Sequence, residues 1–256
     1  MHMIDSHCHL DFTTFADDLA SVLQRSREQG VKHFLIPGTT EQGWQRQLQL
    51  HKDLPDVDIA FGLHPYFAQT MTASAFDTLS HYVAKHHRQL VAIGEAGLDA
   101  TVETPMKTQQ DRLEQQLTLA AEYHLPIILH HRKTHHLLIE MIKHTRFSQG
   151  GVIHAFSGSK QVANTYIDEG FKLGVGGTIT YDRANKTRAT LAQAPIEALL
   201  LETDSPDMPL AGFQGQRNTP QQLPRIAHEL ATLRGCPIEQ VIEQTSRNYR
   251  QLFQRQ

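Results

Sequence analysis

Two histidines separated by a single residue, His7 and His9 in "IDSHCHLD", are the first residues of this chain with the spacing to do chemistry. In extended backbone alternate side chains share a face and lie about 6.6–6.8 Å apart along the strand. Two imidazoles aimed at one point make half of a site for a divalent cation. Asp5 has the same parity and is a candidate partner for one of the two rings. Cys8 points the other way and suits a small buried apolar role. Four further ligand-type residues each stand near the end of a separate apolar run: Glu95 in "LVAIGEAGLD", His130 in "PIILHHR", His154 in "GGVIHAFS" and Asp204 in "ALLLETDSP". A buried carboxylate is costly unless paired or metal-bound, and Glu95 has two oxygens with which to bridge two cations. The expected arrangement is His7, His9, Glu95 and Asp204 around one ion and Glu95, His130 and His154 around a second. Each ion would keep an open position for water or substrate. Two cations about 3.5–4 Å apart acidify a shared water, orient a phosphoryl group and stabilise the leaving oxygen. Asp204 suits the role of general base and Glu95 that of bridging carboxylate.

Three more residues are expected to meet the substrate. Arg132 has the parity of His130, and a guanidinium grips phosphate through two parallel hydrogen bonds. His64, in "GLHP", ends the third apolar run with no ligand role assigned to it. Glu202 shares parity with Asp204 and is expected to orient a ligand or water at the site. Among the chain's 17 histidines, His86–His87 and His135–His136 sit in polar, helix-like stretches and are read as carrying no chemistry.

A common site needs elements that bring these run ends together. The runs are "MIDSHCHL", "KHFLIPG", "VDIAFGLHP", "LVAIGEAGLD", "PIILHHR", "GGVIHAFS", "FKLGVGGTI" and "ALLLETDSP". Amphipathic stretches such as "FADDLASVLQRSREQG", "TQQDRLEQQLTLAAEYH" and "SKQVANTYIDEG" lie between them, and Gly30 and Gly170 stand at plausible helix ends. Strands apolar on both faces that alternate with helices form a parallel sheet. Eight such units fit an α/β fold of the TIM-type (β/α)8 barrel class, whose active sites lie at the C-terminal ends of the strands. "TPQQLPRIAHELATLRG" and "PIEQVIEQTSRNYRQLF" are then closing helices. With no Pro-, Gly- or Ser-rich linker, residues 1–256 are expected to form one domain. "GVGGTIT" lacks the lysine and spacing of a phosphate-binding loop and is read as a tight seventh strand with close backbone approach.

The bulk composition narrows the function. No run of about 18 apolar residues is present, so no membrane span is expected. The start of the chain has neither the basic nor the apolar region of a signal peptide. Two cysteines, Cys8 and Cys236, form no disulfide framework and fit a reducing cytosol. The net charge of −3 argues against a grip on long duplex DNA, so any nucleic-acid contact should be local, at an end. From Arg217 onward six arginines face three glutamates, which reads as a solvated helical surface rather than a phosphate-binding patch. No obligate protein partner is evident.

The ordered set "IDSHCHLD", "GLHP", "IGEAGLD", "PIILHHR", "GVIHAFSGS", "GVGGTIT", "LLLETDSPDMPL", "QRNTP" and "NYRQLF" resembles the TatD family of metal-dependent deoxyribonucleases, of the amidohydrolase-like barrel superfamily. The stretches "GVGGTITYDRANKTR" and "LLLETDSPDMPLAGFQGQRNTP" are most similar to its YjjV branch. The resemblance implies that His7, His9, Glu95, His130, His154 and Asp204 are metal ligands. It also implies Mg²⁺, Mn²⁺ or Zn²⁺ dependence and phosphodiester hydrolysis, in the form of a 3′–5′ exonuclease. Ala96, His131 and Ser205 depart from the family's usual residues, and "ATVETP" lacks its usual aromatic after "GLD". None of these removes a ligand; they bear on substrate choice. The leading expectation is a hydrolase of phosphoester bonds using two divalent cations, with a DNA end or small phosphodiester as substrate. The rival enzyme is a deacylase, lactonase or amidase acting on a carbonyl with the same cations. A metal-binding scaffold without catalysis is the non-enzymatic alternative.

Overall fold

The structure, a computed structural model, describes residues 2–254; Met1 and the last two residues, which the expected domain 1–256 includes, lie outside them. Eight parallel strands follow one another in sheet order. They are β1 (Met3–Asp5), β2 (Val31–Ile36), β3 (Val57–Phe61), β4 (Leu90–Asp99), β5 (Ile127–Arg132), β6 (Gly151–Ile153), β7 (Phe171–Val175) and β8 (Leu199–Leu201). The helices between and after them are α1 (Leu19–Glu28), α2 (Glu41–Asp53), α3 (Ala75–His86), α4 (Met106–Glu122), α5 (His135–Thr145), α6 (Lys160–Asp168), α7 (Asn185–Gln193), α8 (Leu223–Arg234) and α9 (Ile238–Leu252). This is the expected (β/α)8 barrel. Gly30 and Gly170 follow α1 and α6 with φ of 91° and 85°, the left-handed cap that glycine adopts without penalty.

Closure of the barrel falls to short segments just past β1 and β8. Ser6 N–H donates to Leu201 O (2.9 Å), Asp204 N–H to His7 O (2.9 Å) and His9 N–H to Ser205 O (2.7 Å). Asp5 seals the same seam: its Oδ1 accepts from Thr203 N–H (2.9 Å) and its Oδ2 from the Thr203 hydroxyl (2.6 Å). Asp5 also accepts the His7 backbone N–H (3.3 Å), so it supports the first histidine through the main chain and not through the imidazole.

Two apolar clusters divide the core. The larger one packs the outer strand faces, such as Phe34, Ile59, Leu129 and Leu199, against the helices. The smaller one fills the barrel with Ile4, Leu35, Ile128, Val152 and Leu200 and is stopped from below by Tyr249 and Phe253 of the C-terminal segment. The buried residues of α9 (Val241, Ile242, Thr245, Ser246, Asn248 and Tyr249) recur at helical spacing and form the face turned to the barrel floor. Side-chain direction in a strand has a period of two, so the residues two steps past Ile128, Val152 and Leu200 also point inward. These are His130, His154 and Glu202.

Four of the five described arginines of the tail are engaged within the fold, Arg250 being the exception. Arg217 pairs with Asp18 (2.6 Å), Arg225 stacks on Phe213 (4.6 Å), Arg234 donates to the carbonyls ending α7 and Arg247 pairs with Glu243. The sixth arginine lies outside the described residues. The histidine pairs lie at helix ends, as their polar, helix-like stretches imply. His86 ends α3, and His135 is fixed between the Tyr166 hydroxyl (3.1 Å) and Ser157 O (2.8 Å).

Candidate metal centre

Glu95 lies at the bottom of a cavity of about 600 Å³ that opens at the C-terminal ends of the strands. It reaches that position through an irregularity. The β4 register against β5 shifts between Ile93 and Ala96, and the Glu95 N–H donates to Gly38 O at 2.6 Å. Gly62 on the neighbouring strand end leaves room for this, since a Cβ there would collide with the Gly94–Glu95 backbone.

The two oxygens of Glu95 face different histidines. Oε2 lies 3.1 Å from His7 Nε2 and 3.6 Å from His9 Nε2. Oε1 lies 3.0 Å from His64 Nε2, 3.2 Å from His130 Nδ1 and 3.3 Å from His154 Nε2. Asp204 Oδ1 approaches the first set, 3.6 Å from His7 Nε2 and 3.7 Å from His9 Nε2. Despite these distances Glu95 Oε1 and His130 Nδ1 make no aligned hydrogen bond, and both are buried. Buried polar atoms are nearly always satisfied. Nitrogen and oxygen donors that converge without bonding one another are arranged for a third party, and their types fit a divalent cation.

The electrostatics of four of the five rings support the fit, His130 being the exception. Burial keeps His7, His9 and His64 below the ordinary imidazole value and lowers His154 to about 4, so these rings stay neutral, as a metal ligand must. Burial alone would raise the Glu95 carboxyl, yet the rings of His64, His154 and His7 hold it well below the usual carboxylate range. Burial and the nearby charges of Glu95 and Glu202 push Asp204 well above that range. A divalent cation among these carboxylates would relieve their crowding.

The family model described as "TatD related DNase" matches residues 4–254. The chain belongs to the TatD family. It is 41% identical to the metal-dependent hydrolase YjjV of Escherichia coli, over 98% of this chain and 97% of that protein. The crystal structure of that TatD homologue superposes with a TM-score of 0.94, covering 98% of each chain. It is also 33% identical to a protein of Pantoea ananatis named 3′-5′ ssDNA/RNA exonuclease TatD, over 98% of this chain and 99% of that one.

Four features of this TatD-family site refine the sequence expectations. β1 ends at Asp5, so His7 and His9 lie beyond it, in an extended segment that keeps the strand's parity. Their Nε2 atoms come within 3.3 Å of each other. His64 was expected at the phosphate. It lines the cavity floor and also joins Glu95 and His130 in one potential metal-holding group. Glu202 was expected at the site, orienting a ligand or water. It is fully buried behind His154, 3.4 Å from Nδ1, and accepts the Ala155 N–H, so it braces that ring and never reaches the cavity. "GVGGTIT" was read as strand throughout. β7 ends at Val175, and Gly174 makes room for the Glu202 carboxylate, since a Cβ would overlap it. Arg132 does line the cavity, with an exposed side chain at its rim. Cys8 is buried with Sγ toward Leu35 O, away from the cluster.

Two contributors escaped the sequence reading. Asp99 stands at the end of β4, and its Oδ2 lies 3.2 Å from His130 Nε2 while Oδ1 accepts from Thr101 N–H (2.7 Å) and Oγ1 (2.6 Å). A carboxylate behind a metal-ligating imidazole fixes its orientation and raises its basicity. Although burial opposes it, Asp99 and Glu95 raise His130 to about 9. The signal was available, because Asp99 shares parity with Glu95. Asn218 stands in "QRNTP", quoted above without a role for it. Its amide donates to Thr203 O (2.8 Å) and Asp207 O (2.8 Å), anchoring the loop that carries Asp204.

Proposed function

We propose that this chain is a metal-dependent phosphoester hydrolase acting at nucleic-acid ends, a deoxyribonuclease of the 3′–5′ exonuclease type with a binuclear centre. The observation behind this reading is Glu95, whose two oxygens face two separate sets of imidazoles on a cavity floor. His7, His9, Glu95 and Asp204 would hold one divalent cation. Glu95, His130 and His154 would hold the other, with His64 within reach of the same oxygen. Mg²⁺, Mn²⁺ or Zn²⁺, once bound, supplies Lewis acidity toward a phosphoryl oxygen and makes water a competent nucleophile near neutral pH. Glu95 keeps the two donor sets together, and Asp99 and Glu202 fix the rings of His130 and His154. Asp204, on the cavity wall, orients the attacking water and takes its proton. Arg132 grips the phosphate at the rim. The Pantoea relative's name supports a nucleic-acid substrate, and the net charge of −3 suits an end rather than a long duplex. Cys8 and Cys236, both unpaired, suit a cytosolic setting.

The test is hydrolysis of bis-p-nitrophenyl phosphate and of a single-stranded oligonucleotide with added Mn²⁺, run beside a panel of carboxylic esters and lactones. Phosphodiester turnover that vanishes with chelator is the expected result. Ester turnover alone would move the assignment to the deacylase or lactonase class. Unchanged rates in His130→Ala and Asp204→Asn would leave a metal-binding scaffold.

A further inference from the structure

Two large hydrophobic side chains are exposed on the described surface, Tyr66 at 64% and Met208 at 37%. Both line the cavity above Glu95. Tyr66 follows β3 and Met208 follows β8, so they rise from different parts of the barrel rim. Neither hangs on a loose segment. The Tyr66 N–H donates to His64 Nδ1 (3.0 Å), and its ring meets Phe67 edge-on at 5.2 Å, with Phe12 6.3 Å further along. The Asn218 amide holds Met208 O (3.3 Å), and the Tyr181 hydroxyl holds Pro209 O (2.6 Å). An apolar side chain kept in water by an anchored backbone is presented to something.

Beyond Met208 the cavity continues. A second hollow of about 360 Å³ shares Thr178 and Met208 with the first and extends to Tyr181 and Arg183. The Arg183 guanidinium lies 4.7 Å over the Tyr181 ring. Its neighbour Asp182 faces Arg188 at 3.9 Å, and among the described residues no carboxylate lies within ion-pair distance of Arg183.

We propose that Tyr66 and Met208 are the two jaws of a clamp for consecutive nucleotides on either side of the scissile phosphodiester. Tyr66, backed by Phe67 and Phe12, stacks one base. Met208 and Tyr181 take the neighbouring base, and Arg183 takes the next phosphate. The inference rests on the phosphoester reading above and adds to it a minimal substrate of two nucleotides. Aromatic faces stack any base, so the clamp reads length and not sequence. Asp207 lines the Met208 wall, which keeps phosphate away from that jaw and leaves it to Arg183.

The experiment measures binding of fluorescein-labelled, phosphorothioate-linked oligothymidylates of one to four nucleotides to the Mn²⁺-loaded protein. Hydrolysis of the unmodified oligomers is followed in parallel. Affinity should rise on going from one nucleotide to two. Tyr66→Ala should weaken dinucleotide binding, and Arg183→Gln trinucleotide binding, each roughly tenfold. They should raise KM with kcat within twofold, and Tyr66→Phe should behave as the parent. Equal affinity for one and two nucleotides would overturn the clamp. So would unchanged binding in variants that melt at the parent's temperature. Binding that depends on length and on Tyr66, with no hydrolysis by the parent, would keep the clamp and remove the nuclease assignment. Hydrolysis without length preference would do the reverse.

Discussion

The barrel holds two histidine–carboxylate clusters, one at each end, and they are built differently. At the N-terminal end Asp58 Oδ2 accepts from the Tyr249 hydroxyl (2.8 Å) and faces His33 Nε2 (2.7 Å). At the C-terminal end Glu95 is surrounded by imidazoles, yet Glu95 Oε1 and His130 Nδ1, which face each other at 3.2 Å, have no hydrogen-bond partner. Both place an imidazole against a buried carboxylate, although His33 is a quarter exposed and His7 fully buried. The lower cluster is closed by aligned hydrogen bonds and ties α9 to β3; the upper one is left open around points between its atoms. Residue type alone therefore does not identify a site; unsatisfied convergence does.

Four substitutions test that contrast. Glu95→Gln should have the largest effect: loss of the shared carboxylate should lower phosphodiester hydrolysis on the order of 10³-fold. Metal content by elemental analysis should fall with it, and the melting point should no longer respond to chelator. A Gln variant that still bound two equivalents of metal would remove Glu95 from the centre. At the other end Asp58→Ala should act on stability, costing about 2–4 kcal/mol, because His33 and Tyr249 both lose a buried acceptor. Denaturant titration measures that loss, and kcat of the folded fraction should stay at the parent value. A drop in kcat without loss of stability would mean that the lower cluster is not merely structural.

Asp99→Asn tests the support of a ligand rather than the ligand. Metal affinity should fall roughly 10–100-fold while the fold survives. A competitive chelator titration reads it, and unchanged affinity would reduce Asp99 to a surface acceptor for Thr101. The smallest effect belongs to the exposed Arg217–Asp18 pair. Arg217 hydrogen bonds hold the Asp18 carboxyl below its ordinary range. A depressed carboxyl contributes stability above its unfolded value of about 3.9, and loses that contribution as pH falls through the lower folded value. The difference in melting temperature between neutral and acidic pH should therefore be slightly smaller in Arg217→Gln than in the parent. An equal difference would mean that the pair contributes nothing measurable.

Alternation of apolar runs with amphipathic stretches indicated the barrel, because strands buried on both faces and their covering helices have different periods. The run ends gave His7, His9, Glu95, His130, His154 and Asp204 for the same reason: in a parallel barrel all strand C-termini meet at one rim. Local pattern could not show which atoms meet there. His64 looked like a rim residue and is tucked against Glu95; Glu202 looked like a site residue and is sealed behind His154.

The sequence by itself determined the periodicities, and through them the strand count, the inward parity of His130, His154 and Glu202, and the outward turn of Cys8. Those properties depend on backbone geometry that repeats every two or 3.6 residues. Only the tertiary structure decided how deep each inward side chain sits and what stands behind it. Depth depends on the register shift around Glu95, and on the gaps left by Gly62 and Gly174. It depends as well on contacts between residues as distant in sequence as Asp5 and Thr203, whose separation no local pattern records.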